Sequence, residues 1–67
     1  MNILLNHQST HIPDHCSLQH LLTQVLHLPV DGLAVAVHEN VIPKSEWADY
    51  SLQPGDAVML IRATQGG

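Results

Sequence analysis

Few side chains in this sequence have the type and spacing that chemistry requires. The last two residues are Gly66 and Gly67, a bare pair with more backbone freedom to lose than any other residue. Six histidines, His7, His11, His15, His20, His27 and His38, are many for 67 residues. Imidazoles ligate metals, but this spacing assembles no site. His11 and His15 stand four apart with Pro13 between them, and proline forbids the regular helix that would bring them together. His20 and His27 are two helical turns apart, too far for one ion. There is no HExxH and no paired CxxC spacing. The histidines are therefore expected on surfaces and loops, with no metal bound. Cys16 is the only cysteine, which rules out an internal disulfide and a cysteine-based zinc cluster. A lone cysteine ahead of a helix is ordinarily a small buried or half-buried residue. No nucleophile–base pair and no paired carboxylates are spaced for catalysis, and the chain is not expected to be an enzyme.

Size and charge narrow the classes further. A chain of 67 residues is one domain, with little room for a deep cleft beside its core. Six acids against two bases give a net charge of −4, the opposite of the basic stripe a nucleic-acid binder needs. That charge favours a basic partner surface. The opening "MNILLNHQST" lacks the charged and long apolar regions of a signal peptide. No stretch approaches the roughly 18–20 apolar residues of a membrane span. A reducing cytoplasm is the expected location.

The elements that must position these residues can be read from periodicity. "MNILLN" is a short apolar strand, with both faces expected to be mostly covered. "HQST" turns, and "STHI" returns as a second strand that Pro13 and Asp14 end. Leu18, Leu21, Leu22, Val25 and Leu26 form one apolar stripe at helical spacing. Ser17 is the N-cap, and Pro29 is expected to stop the helix. "LAVAV", residues 33–37, reads as a central strand covered on both faces. "HEN" is a tight turn, and Pro43 confines the following "VIP" to an edge or an end. "SEWADY" suits one helical turn capped by Ser45, and "QPGD" is a turn. "AVMLIRA", residues 57–63, is the last strand, expected beside the first because both are strongly apolar. The order is β-β-α-β-β-β: an α+β fold with a mixed four- to five-stranded sheet packed on one main helix, the β-grasp arrangement. The expected boundaries are a domain over 1–63 and a tail over 64–67.

Three stretches resemble one family. "MNILLN", "VIPKSEWADY" and "LQPGDAVMLIRATQGG" are similar to the first strand, the Pro-to-Trp segment, and the last strand with diglycine terminus of the thiamine-biosynthesis sulfur carriers, the ubiquitin-like ThiS family. The resemblance spans essentially the whole chain. His38 departs from it, standing where an amide residue is expected. The resemblance implies a sulfur carrier for the thiamine thiazole. A ThiF-like adenylyltransferase would use ATP and magnesium to form an acyl-adenylate on Gly67. A separate sulfur-donor system would convert it to a thiocarboxylate, which thiazole synthase (ThiG-like) would consume. The carrier itself would hold no cofactor. A carrier for molybdopterin, cysteine or another pathway is the alternative, as is a ubiquitin-like interaction module in which the diglycine is incidental.

The tail's composition fits that role. A free α-carboxylate titrates near ~3.3–3.7 and is a poor electrophile at neutral pH, so it must be activated. Residues 63–67 extend by at most ~17 Å, and Thr64, Gln65 and Gly66 are the residues that would thread a partner's channel. Met59 and Arg62 are the candidate docking residues. Either Met59 or Leu60 should face outward on its strand. Arg62 either orients the tail against a partner's acid or is solvated. Trp47 is expected in the core, and Asp56 is expected to brace its turn.

Overall fold

Alternation along the strands explains how the core is built. In the computed structural model, which describes residues 1–62, Ile3, Val35, Val37 and Val58 are buried while their strand neighbours are not. The strands are β1 (Asn2–Leu5), β2 (Gln8–His11), β3 (Leu33–Val37), β4 (Asn40–Ile42) and β5 (Ala57–Arg62). They form one sheet in the order β2-β1-β5-β3-β4. β1 and β5 run parallel, with Leu4 opposite Ala57. The other pairings are antiparallel, β3 on β5 being the longest, from Leu33–Arg62 to Val37–Val58. The first and last strands are neighbours, and β4 lies at an edge, as Pro43 requires.

One helical segment covers one face of this sheet. It starts as α1 (Leu18–His20) and continues as a π-helical turn over Leu21–Val25. The Ser17 hydroxyl accepts the His20 N–H at 3.0 Å and caps the start. Leu18, Leu21 and Leu22 are fully buried, whereas Val25 and Leu26 are half-buried. The wider π turn, in which Leu26 N–H reaches Leu21 O at 2.9 Å, carries those last two residues off the stripe. Pro29 is not the stop. His27 adopts a left-handed conformation, φ 52°, and Leu28 N–H folds back to Leu22 O at 2.8 Å.

Trp47 belongs to the core, 2% exposed, and its Nε1 donates to Ile42 O at 2.8 Å. It is carried by a 3-10 helix over Lys44–Asp49. Pro43 starts that helix by accepting the Glu46 N–H, so Ser45 lies inside it and is not its cap. Leu18 N–H to Tyr50 O and Leu52 N–H to Cys16 O, both 2.9 Å, then tie the following segment to the helix start.

Two expectations about coverage need correction. β3 is interior but not central; β5 is the middle strand. Neither β1 nor β3 is covered on both faces: Leu4 is 43% exposed and Ala34 is exposed. One short helix can shield only one side of a five-stranded sheet. The boundary expected between residues 63 and 64 lies outside the described residues.

Candidate functional site

The open face of the sheet is built by the residues that alternate with the core. They are Leu4 on β1, Ala57, Met59 and Ile61 on β5, Ala34 and Ala36 on β3, and Val41 on β4. The register sets them side by side: Leu4 with Ala57, Ala36 with Met59 and with Val41, Ala34 with Ile61. The three large apolar side chains exposed among the described residues are Leu4, Val41 at 71% and Ile61 at 55%. All three lie on this face. An apolar patch that a chain leaves open marks an interaction surface.

Two hairpin turns frame the patch. Asn6–His7 joins β1 to β2, with φ 50° and 69°, and His38–Glu39 joins β3 to β4, with φ 50° and 70°. Positive φ at both central positions defines a type I′ turn, whose twist matches that of the strands. Histidine tolerates this region better than most residues. His15, φ 60°, and His27 occupy it too. Four of the six histidines thus serve the backbone, which accounts for much of their number.

Side chains then brace the turns against β5. Asn6 N–H donates to Val58 O at 2.9 Å, and Asn6 Oδ1 accepts the Leu60 N–H at 2.8 Å. The side chain continues the ladder one step beyond the end of β1. On the other flank, Asp56 Oδ2 accepts the Gln53 N–H at 2.8 Å and Oδ1 meets His38 Nε2 at 3.0 Å. Asp56 therefore braces the Gln53–Asp56 turn, as its place in the sequence predicts, and also holds His38. Gly55 supplies the positive φ, 84°, that this Pro-Gly turn demands. Between the two hairpin turns lies an apolar groove of about 340 Å³, floored by Leu4, Ala36 and Met59 and rimmed by His7, His38 and Glu39.

The predicted docking residues separate. Met59 faces outward into the groove, and Leu60 packs against the core. Arg62 pairs in register with Leu33, a core-facing position. It is thus exposed on the helix side at the end of β5, and Met59 and Arg62 do not share a face. Gly67, Gly66, Gln65 and Thr64 lie outside the described residues. Cys16 is fully buried, and that burial pushes its thiol above the ordinary value. An unionised, inaccessible thiol is a poor nucleophile.

A second depression, about 550 Å³, involves Asp14, His15, Ser17 and His20, and none of its lining belongs to β5. Asp14 is engaged by the Met1 ammonium at 3.0 Å and Ser17 by its cap. Among the described residues no three metal-ligating side chains converge, and no helix is long and apolar enough to cross a membrane. The sequence reading missed His7, Leu4, Ala36 and Glu39. The signal was the two-residue spacer between apolar runs, Asn6–His7 and His38–Glu39, which lacks the usual glycine.

Known proteins resemble this chain in sequence and share its fold. The family model described as "ThiS family" matches residues 3–67. The sulfur carrier protein ThiS of Escherichia coli (strain K12) is 31% identical over 67 residues, which is 100% of both chains. The crystal structure of the thiamine biosynthesis protein ThiS from Geobacter metallireducens aligns over 100% of both chains, with a TM-score of 0.86 at 19% identity. That structural likeness establishes the β-grasp fold.

Proposed function

The chain belongs to the ThiS family, and on that premise we propose that it is the sulfur carrier of thiamine biosynthesis, loaded at the Gly67 carboxylate. Partner enzymes do the chemistry. A ThiF-like adenylyltransferase joins the carboxylate to the α-phosphate of ATP, with magnesium, and pyrophosphate leaves. A sulfide equivalent from a separate donor system then attacks the acyl carbon. The new C–S bond forms as the C–O bond to AMP breaks, leaving a thiocarboxylate. Thiazole synthase, ThiG-like, takes the sulfur from it.

The observation that carries this reading is the family match running through residue 67, diglycine included. The geometry supports it. β5 is the middle strand, and at the root of the tail Ile61 and Arg62 are held by their register with Ala34 and Leu33 of β3. Residues 63–67 then reach at most ~17 Å past it. The open face beside β5 offers Leu4, Met59 and Ile61 for docking while the terminus threads the partner. Arg62, on the other face, lies at the tail's exit. Fixing two glycines in a partner's channel costs more backbone entropy than fixing any other pair, which keeps the complex transient. A carrier that visits successive enzymes needs that transience.

Intact-mass measurement tests the proposal. With adenylyltransferase, ATP, magnesium and a sulfur donor, the protein should gain one sulfur in place of one oxygen. Deleting Gly67 should abolish the change and leave the melting curve unaltered. An unmodified wild-type chain beside demonstrably active partners, or full loading without Gly67, overturns the reading.

A further inference from the structure

The groove between the two left-handed turns is more particular than a docking face requires. Its floor is apolar, and its rim carries one carboxylate, Glu39, and neither of the chain's two bases. Among the described residues, the Met1–Asp14 ion pair and the contact between His38 and Asp56 leave Glu39 out. The backbone beneath it is nevertheless fixed. Glu39 is the second residue of a type I′ turn, φ 70°. The preceding His38 donates its N–H to Ala57 O at 2.9 Å, and its ring is held by Asp56. The next residue, Asn40, is in register with Val37. The turn therefore keeps the root of this side chain at the lip of the groove, within reach of a partner's cation. An anion beside an apolar trough of about 340 Å³ complements one kind of surface: a large apolar side chain with a cation next to it.

We propose that this groove receives one large apolar side chain of the adenylating partner and that Glu39 pairs with a lysine or arginine beside it. The proposal rests on the carrier reading for the identity of the partner. The apolar contact supplies affinity through burial, and the ion pair at the rim supplies register and discrimination. No other acid among the described residues lines the groove, so a local pair and the general effect of the −4 charge can be told apart. Asp49, exposed on the 3-10 helix and outside the groove lining, is the matched control.

Calorimetric titration of the ThiF-like adenylyltransferase with the full chain provides the test, with melting curves to verify each variant's fold. Glu39→Lys should weaken binding about tenfold at low salt. Glu39→Gln should weaken it about two- to fivefold, an effect that shrinks as salt is added. Ala36→Phe, which fills the trough, should weaken binding at every salt concentration. Asp49→Lys, with the same change in charge, should stay close to wild type. Glu39→Lys matching Asp49→Lys, or Ala36→Phe binding normally, overturns the groove proposal even when sulfur is loaded. Wild-type binding without loading overturns the carrier reading, and the Glu39 and Ala36 variants then decide the groove separately. Absence of wild-type binding overturns both.

Discussion

His27 shows how this chain uses histidine. It stands at φ 52° just past the helix, where glycine is the usual residue. His27→Gly should therefore hold or raise the melting temperature. His27→Val, β-branched in a left-handed well, should cost about 1–2 kcal/mol, or roughly 4–16 °C in a domain this small. Thermal denaturation of both variants checks the pair. Asp14 works differently. The hydrogen bond from the Met1 ammonium, then its charge, hold the carboxyl below its ordinary value of 3.8. A lowered folded value contributes stability that is fully present above the ordinary value. It is lost as the pH falls through the lower, folded value. Melting temperatures between about pH 2 and 6 should fall less steeply for Asp14→Asn than for wild type. Equal slopes would mean that the ion pair contributes nothing. The roles of Trp47, Ser17 and Asp56 were legible in the sequence because each depends on size or on neighbours a few residues away. The backbone role of the histidines was not, since a ring that could ligate metal and one that tolerates positive φ are the same residue type.

Elements were legible where their signals are local. The stripe from Leu18 to Leu22 and the Ser17 cap located the helix start. Its end depends on Leu28 folding back to Leu22 while packing on the core, a tertiary decision that Pro29 alone does not reveal. The apolar runs of β1 and β3 suggested burial on both faces, and only one face is covered within the chain. Sequence does not distinguish a face covered by its own fold from one left for another protein. β5 has its own hidden support in Asn6. Asn6→Ala removes the acceptor for the Leu60 N–H and places an unsuited residue at φ 50°. It should destabilise the protein by about 1–3 kcal/mol and speed hydrogen exchange at the Leu60 amide. Unchanged exchange there would show that the bracket is dispensable.

At the scale of the whole molecule, the exposed large apolar side chains share one face, and the charged side chains lie at its rim or elsewhere. Met59→Asp puts a carboxylate at the centre of that face. It should weaken adenylyltransferase binding by about 1.5–3 kcal/mol, roughly ten- to a hundredfold. Calorimetry alongside a melting curve separates this loss from unfolding, and an unchanged affinity would move the docking surface off the sheet. The architecture as a whole was legible because helix periodicity, turn signals and strand order agree on one fold. The groove was not, because two turns distant in sequence make it, one at His7 and the other at His38 and Glu39, and they meet only across β5.

The middle position of β5 also has a mechanical meaning. Force applied along the chain beyond Arg62 runs down a strand bonded to β3 on one side and to β1, extended by Asn6, on the other. Such a load meets the β3 ladder first, at Arg62 and Ile61, and reaches the Asn6 bracket and the β1 ladder only from Leu60 inward. A pull on that end is therefore borne by β3 before the bonds to β1 carry any of it.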